Sequence, residues 1–479
     1  MYREKKQVSI FDQPENFIVT GLDRENRWIK LAEMIPWDEM EEKYKAGFSK
    51  DKGRPAKPVR MAIGSHLIKE KFCLSDREIV ELISESPYLQ FFLGMERFEP
   101  KAPFDDSMMT WFRKRLTPGM IAEANEYVIG SGKSNDSDDG GGGDAGNGTG
   151  EDMTEEPASA GNRGTMIVDA TCVPSDIRYP TDVSLLNEAR EITEQIIDWL
   201  HKSVETGVKP RTYRRKARKM YLRFARNRNP RRADVRKAVK AQLAYLRRNL
   251  RSIEHMRVGT LSDNMAAQLE TIQKLYTQQK EMYDDNSHST ADRIVSIHSP
   301  WVRPIVRGKT NAPVEFGAKA AVSMVDGYAR IERLSWDPFN ETTTLIDSIE
   351  GYREREGAYP ERILADKIYR TRETLAYCKK HGIRMSGPKL GRPPADKNEF
   401  RAQCLTERME SKERNAIEGE FGVGKRRYNL DRLTARLKES SEVQIHLIFL
   451  SMNLWKRLGA FPAQFLEMIF RALKSPITV

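Results

Sequence analysis

The chain is 479 residues long and 39% hydrophobic, which supplies enough apolar content for real cores and predicts about three domains. A net charge of +11 and a pI near 9.2 point to a polyanionic partner. The four cysteines (Cys73, Cys172, Cys378, Cys404) form no CxxC pair and the seven histidines no HExxH motif, which argues for reduced thiols in the cytosol and against a disulfide scaffold or a zinc site.

In chain order, the N-terminus (Met1-Tyr2-Arg3-Glu4-Lys5-Lys6) has no apolar run and does not read as a signal peptide. Trp28, Ile29, Leu31 and Ala32 suggest a short helix. From Pro58 to about Gly130 the pattern is helical. Met61, Ile63, Leu67 and Ile68 share a face, Ser75 with Glu78 forms a capping box, and a third helix follows Asp106 or Ser107 with Met109, Trp111, Phe112 and Leu116. Helices at this spacing fit either a helix-turn-helix DNA module or a plain bundle used for protein contacts. Residues 131–160, with four glycines at 140–143 among Asp136, Asp138, Asp139, Asp144, Glu151 and Asp152, cannot bury a core and read as a flexible acidic linker.

Thr165-Met166-Ile167-Val168-Asp169 then reads as a buried strand ending in a carboxylate. Taken alone, such an Asp is more often a loop cap than a site residue. A second run of the same form, Arg362-Ile363-Leu364-Ala365-Asp366, changes that. If the two strands lie side by side and parallel, Asp169 and Asp366 converge, and a divalent metal is a common reason to keep two close carboxylates ionised. Between the two strands, Thr181 or Asp182 caps a helical run that continues to about Asp285. Between His201 and Thr260 it holds 20 Lys or Arg against three acids, a local +17 that leaves the rest of the chain at −6. Tyr213, Tyr221, Phe224 and Tyr245 are interleaved with these cations. A charge run is often only a solvated face. An excess of this size favours a phosphate-binding arm, with Arg214, Arg215, Arg231 and Arg232 among its cations and Arg303, Arg307 and Lys309 beyond it.

Asp326-Gly327 between two β-rich runs signals a hairpin, which makes Asp326 a turn residue. A helix over about 341–356, the Asp366 strand, a helix with Leu375 and Tyr377, and a short strand at Ile383-Arg384-Met385 follow. The fold class is therefore α/β (α+β), a mixed sheet with helices packed on it. On the last charged helix, ~100° per residue places Ile417 and Phe421 on the core side, Glu418 at the rim with Arg414 and Lys425 within about 40° of it, and Glu420 about 160° away in solvent. Arg414–Glu418 could equally be an i,i+4 surface pair, and Gly419, Gly422 and Gly424 weaken the helix. The apolar stretch at 443–455 is broken by Gln444, His446, Ser451 and Asn453 and reads as a core helix, not a membrane span.

These residues together resemble the bacterial insertion-sequence transposases of the DDE type. The resemblance rests on Ile167-Val168-Asp169-Ala170-Thr171 followed by Tyr179-Pro180-Thr181-Asp182, on Leu364-Ala365-Asp366-Lys367-Ile368-Tyr369, on the Arg414-x3-Glu418-x6-Lys425 spacing, and on the N-terminal run from Ser75 to Gly94. Many relatives carry Tyr where Ser411 stands. The resemblance implies an RNase-H-like catalytic domain over 161–182 and 291–479. It also implies a basic helical insertion at 183–290, a helical N-terminal domain at 1–130 as a candidate DNA-binding module, and the linker at 131–160. It implies that Asp169, Asp366 and Glu418 hold two Mg²⁺ ions, with Mn²⁺ as a substitute, for strand cleavage and strand transfer. Arg414 and Lys425 would hold phosphates beside them. The implied partner is double-stranded DNA, both transposon ends and target, bound by a homodimer or higher oligomer in the bacterial cytoplasm at the nucleoid. An RNase-H-like nuclease without strand transfer and a non-catalytic DNA-binding derivative are the competing readings.

Overall fold

The computed structural model describes residues 21–48, 55–130, 161–203, 208–256, 261–309, 312–388 and 396–474. The acidic segment at 131–160 lies outside the described residues. In chain order the elements are α1 (Arg27–Glu33), α2 (Trp37–Ala46), α3 (Val59–Phe72), α4 (Asp76–Glu85), α5 (Pro87–Phe92), α6 (Ser107–Arg115), α7 (Pro118–Gly130), β1 (Thr165–Pro174), α8 (Asp182–Ser203), α9 (Arg214–Ala225), α10 (Arg232–His255) and α11 (Asp263–Asp284). Then come β2 (Arg303–Lys309), β3 (Ala312–Val325), β4 (Tyr328–Ser335), a 3-10 turn at Glu341–Thr344, α12 (Leu345–Glu356), β5 (Arg362–Leu364), a 3-10 turn at Lys367–Tyr369, α13 (Arg372–Lys380), β6 (Arg384–Met385), α14 (Lys397–Arg427) and α15 (Lys438–Lys474). The chain divides into two compact units, one of Met1–Val173, Lys319–Ser335 and Phe339–Val479, the other of Pro174–Ala318 and Trp336–Pro338.

In the first unit the N-terminal helices form a bundle whose ends are set locally. Ser75 and Glu78 make the reciprocal capping box, and Ser86 caps α5 just ahead of Pro87. Trp28, Trp37, Phe92, Ile63 and Phe112 fill its centre, with Trp28 edge-on to Phe92 at 5.1 Å between ring centroids. Val443, Leu447, Leu450 and Leu454, at helical spacing along α15, are buried in the same core. Each fully buried Leu contributes about 2 kcal/mol, which is why this apolar helix sits inside the protein. No helix among the described residues is long and apolar enough to cross a membrane.

The sheet is mixed, in the order β2-β3-β1-β5-β6, with β4 paired to β3. β1 and β5 are parallel, with Ile167 opposite Leu364. The β3–β4 hairpin closes through Asp326 (φ 52°) and Gly327 (φ 83°), the left-handed pair that a two-residue hairpin turn requires. Met166, Val168, Ile363 and Ala365 lie on one face of the sheet, packed with Leu345, Ile349 and Tyr352 of α12.

The second unit is built on α8 lying along α10, with Leu186, Ile196, Ile197, Leu246, Ile272 and Leu275 in its core. Arg190 is buried there and paired with Glu194 at 2.5 Å and Asn187 at 2.8 Å. Thr181 caps α8, its hydroxyl accepting the Ser184 N–H. β2 pairs with the first half of β3 in this unit.

Candidate active site

Alternation along a strand puts Ile167 and Asp169 on the face away from Met166 and Val168, and Leu364 and Asp366 likewise. The parallel register pairs Ile167 with Leu364, Asp169 and Asp366 each follow two residues later in their chains, and both acids act on the Tyr369 hydroxyl. Each carboxylate is steadied by its own backbone: Asp169 Oδ1 accepts the Ala170 N–H at 2.8 Å, and Asp366 Oδ1 the Lys367 N–H at 2.7 Å. The turn after Asp366 is held from β6, where Ser386 Oγ accepts the Ala365 N–H at 3.0 Å and Arg370 donates to the Ser386 carbonyl at 2.6 Å.

Helix α14 supplies the third acid. It packs on β5 and is fastened by ion pairs from Arg362 to Glu413 at 2.8 Å and from Arg384 to Glu410. Glu410, Glu413, Arg414 and Ile417 follow the i, i+3, i+4, i+7 rule and so share the face toward the sheet. The glycines do not break this helix, and at Gly424 a Cβ would come 2.9 Å from Leu430, so glycine permits a close approach. Ile417 and Phe421 are buried and Glu418 is 56% exposed at the rim. Arg414 stands between two acids, 3.7 Å from Asp169 and 3.4 Å from Glu418. The i,i+4 pair therefore exists, and it reaches the strand acid as well.

Glu420 corrects an expectation. It is not solvated. Its side chain is 13% exposed and pairs with Lys456 of α15 at 3.2 Å. The wheel gives an angle from Glu418, not which neighbouring helix covers that side.

A further acid, Glu341, was not singled out by any sequence pattern. It opens the 3-10 turn that packs against the turn following Asp366, and Lys319 of β3 pairs with it at 2.8 Å. Its signal would have been the Asn340 cap just ahead of it, too common a pattern to mark a site. Burial pushes the Asp169 carboxyl up to about 6, offset by the Ala170 N–H, and Glu341 adds to the rise more than the nearby Arg414 subtracts, with Glu418 contributing further. The buried Tyr369 hydroxyl is also driven well up, by burial first and then by Glu341, Asp169 and Asp366. One region thus carries four carboxylates, with Lys319 paired to Glu341 and Arg414 beside Asp169 and Glu418.

The donor set suits a hard divalent cation in kind, since it offers carboxylate oxygens. Among the described residues, however, no three His, Cys, Asp or Glu side chains are drawn together closely enough to hold one ion. All four cysteines are free.

The cations expected to meet DNA have varied places. Arg215 and Arg231 are exposed. Arg214 is bound to Asp198 at 2.7 Å, and Arg232 donates to Asn286 at 3.4 Å. Arg303 is half-buried, donating to the Pro300 carbonyl at 2.5 Å. The side chains of Arg307 and Lys309 on β2 fall outside the described residues. Lys425 lies in the last turn of α14 and is half-buried. Arg215, Lys219, Arg223 and Arg226 repeat at i, i+4, i+8 and i+11 along one exposed side of α9, and Arg248 stacks over Tyr213 at 4.7 Å.

Comparison with known proteins bears on this arrangement. Residues 363–455, which include Asp366 and Glu418, match the transposase DDE domain family, and residues 19–115 match the transposase domain family DUF772. An uncharacterized protein, ORF8 of the nfe locus of Rhizobium meliloti, is 35% identical over 164 residues, 34% of this chain and 69% of that protein. The chain belongs to the insertion-sequence transposases of the DDE type. Asp169 precedes the matched DDE segment, so its place in the site rests on the β1–β5 register and on Arg414. No solved structure matches the transposase.

Proposed function

We propose that this transposase binds the ends of a mobile element and cuts and joins DNA at the site formed by Asp169, Asp366 and Glu418, in an RNase-H-like catalytic core. The observation that carries this reading is the parallel β1–β5 register. It pairs Ile167 with Leu364, two residues ahead of Asp169 and Asp366, and Arg414 of α14 lies 3.7 Å from Asp169 and 3.4 Å from Glu418, which supports one shared site. The order of strand, insertion, hairpin, helix, strand, helix, strand, helix supports the RNase-H-like assignment.

Asp169, Asp366 and Glu418 would hold the divalent ions, Mg²⁺ or Mn²⁺. Bound there, they would supply Lewis-acid activation of the attacking oxygen and charge stabilisation of the leaving oxygen of a phosphodiester. The chain's own groups do the rest. The Ala170 and Lys367 N–H groups fix one oxygen of each Asp, and the second oxygen of Asp169 faces Arg414. Arg414, with a fork that matches a phosphate, and Lys425 would orient the scissile strand. The exposed cations of α9 and α10 would position double-stranded DNA without reading its sequence.

The test is cleavage and joining of DNA carrying the element's ends. Asp169→Asn, Asp366→Asn and Glu418→Gln are each expected to abolish both while leaving DNA binding in place. Cleavage without joining in the unaltered chain would instead favour a nuclease.

A further inference from the structure

We propose that Arg414 is the resident counter-ion of the acid site, that it competes with a divalent cation for Asp169 and Glu418, and that a DNA phosphate draws it away and opens the site to the metal. This rests on the proposed cation-holding role of the two acids. Arg414 reaches both, at 3.7 Å and 3.4 Å, while the other Asp169 oxygen is taken by the Ala170 N–H. Both oxygens of Asp169 are therefore engaged before any ion arrives. The pairings are longer than a hydrogen-bonded fork, which spans about 2.7–2.9 Å, so the guanidinium neutralises the acids without being locked to them.

Two features make this a competition. Arginine keeps its charge at any working pH, so it can yield the oxygens only by moving. A dication and a guanidinium at the same oxygens also repel each other strongly in a site that is four-fifths buried at Arg414. A backbone phosphate is the natural alternative partner, since it accepts the two parallel N–H bonds of the fork. Among the described residues no three acids are gathered for one ion, and Arg414 lies within reach of two of them.

The test is Mn²⁺ binding to the full chain, read by the loss of the free-ion electron paramagnetic resonance signal. Without DNA, Arg414→Gln is expected to bind Mn²⁺ roughly tenfold or more tightly than the unaltered chain. Arg414→Lys, which keeps a charge, is expected to stay near it. A duplex oligonucleotide, with uptake by DNA alone subtracted, is expected to raise the affinity of the unaltered chain and leave Arg414→Gln unchanged. Equal or weaker affinity in Arg414→Gln, or the same DNA effect in both, overturns the proposal. Arg414→Met, which keeps the apolar stem, gives the same readout should the Gln variant not fold. The double variant Asp169→Asn with Arg414→Gln separates the two readings: if it binds Mn²⁺ as tightly as Arg414→Gln alone, the cation is not at Asp169, and it is the site assignment that fails.

Discussion

Lys319 of β3 and Glu341 of the 3-10 turn after β4 form a 2.8 Å ion pair that is largely shielded from water, with 15% and 23% of their side chains exposed. Lys319 also donates to the Phe339 carbonyl at 2.9 Å, so it ties the turn to the sheet as well as neutralising its acid. Removing the cation leaves Glu341 unpaired beside Asp169. Lys319→Met is expected to cost about 2 kcal/mol in denaturant unfolding, and Glu341→Gln less, because removing the acid also relieves the crowding of like charges. Equal stability of Lys319→Met and the unaltered chain would show that the pair holds nothing.

The same crowding predicts a pH effect. Asp169 has a folded pKa near 6 against an ordinary value of 3.8, so between those two values the folded chain binds more protons than the unfolded one. Its contribution to stability therefore falls as pH rises from about 4 to about 6 and stays low above that. Asp169→Asn, measured with a chelator present, is expected to be more stable than the unaltered chain above pH 6, by up to about 3 kcal/mol, with the gain shrinking toward pH 4. A gain independent of pH would remove the titration of Asp169 as its cause.

On the basic helices, the ion pairs decide which cations are free to meet DNA. Neutralising Arg215, Lys219 and Arg223 is expected to weaken binding on most sequences and to lower the salt slope by about 0.9 for each phosphate no longer neutralised. Arg214→Gln, which breaks the pairing with Asp198, is expected to affect stability more than the slope. A slope unchanged by the triple substitution would contradict the phosphate-arm reading.

Gly327 sits at φ 83° in the β3–β4 turn, and a Cβ there would also come 3.1 Å from Lys456. Gly327→Ala is expected to cost about 1–2 kcal/mol, the penalty of a left-handed side-chain-bearing residue. Asp326→Asn, at the other turn position, is expected to be tolerated, since Asn visits that region readily. Thermal unfolding of the two variants checks both.

Much of this was legible from residue order alone. Two apolar runs each ending in Asp marked candidate site strands because a buried carboxylate needs a reason, though their lying side by side and parallel came from the fold, and Asp-Gly marked its hairpin because few dipeptides tolerate that turn. Glu418 emerged from helical geometry, since Ile417 and Phe421 fix which side faces inward. Glu341 did not, because its place depends on where the β4 strand returns the chain, a tertiary fact that no local period encodes. Glu420 was misplaced for a related reason: its burial comes from Lys456 on a helix that follows in sequence but packs alongside. Arg414 could be placed beside Glu418, but its reach to Asp169 needed the fold.

The most direct measurement is a paired cleavage assay of Glu418→Gln and Glu420→Gln on DNA carrying the element's ends, with DNA binding and unfolding followed in parallel. The two acids lie two residues apart on one helix, yet one faces Arg414 and the other Lys456. Glu418→Gln is expected to lose cleavage while still binding DNA. Glu420→Gln is expected to keep cleavage and lose about 1 kcal/mol of stability. An active Glu418→Gln together with an inactive but folded Glu420→Gln would contradict the assignment of the site.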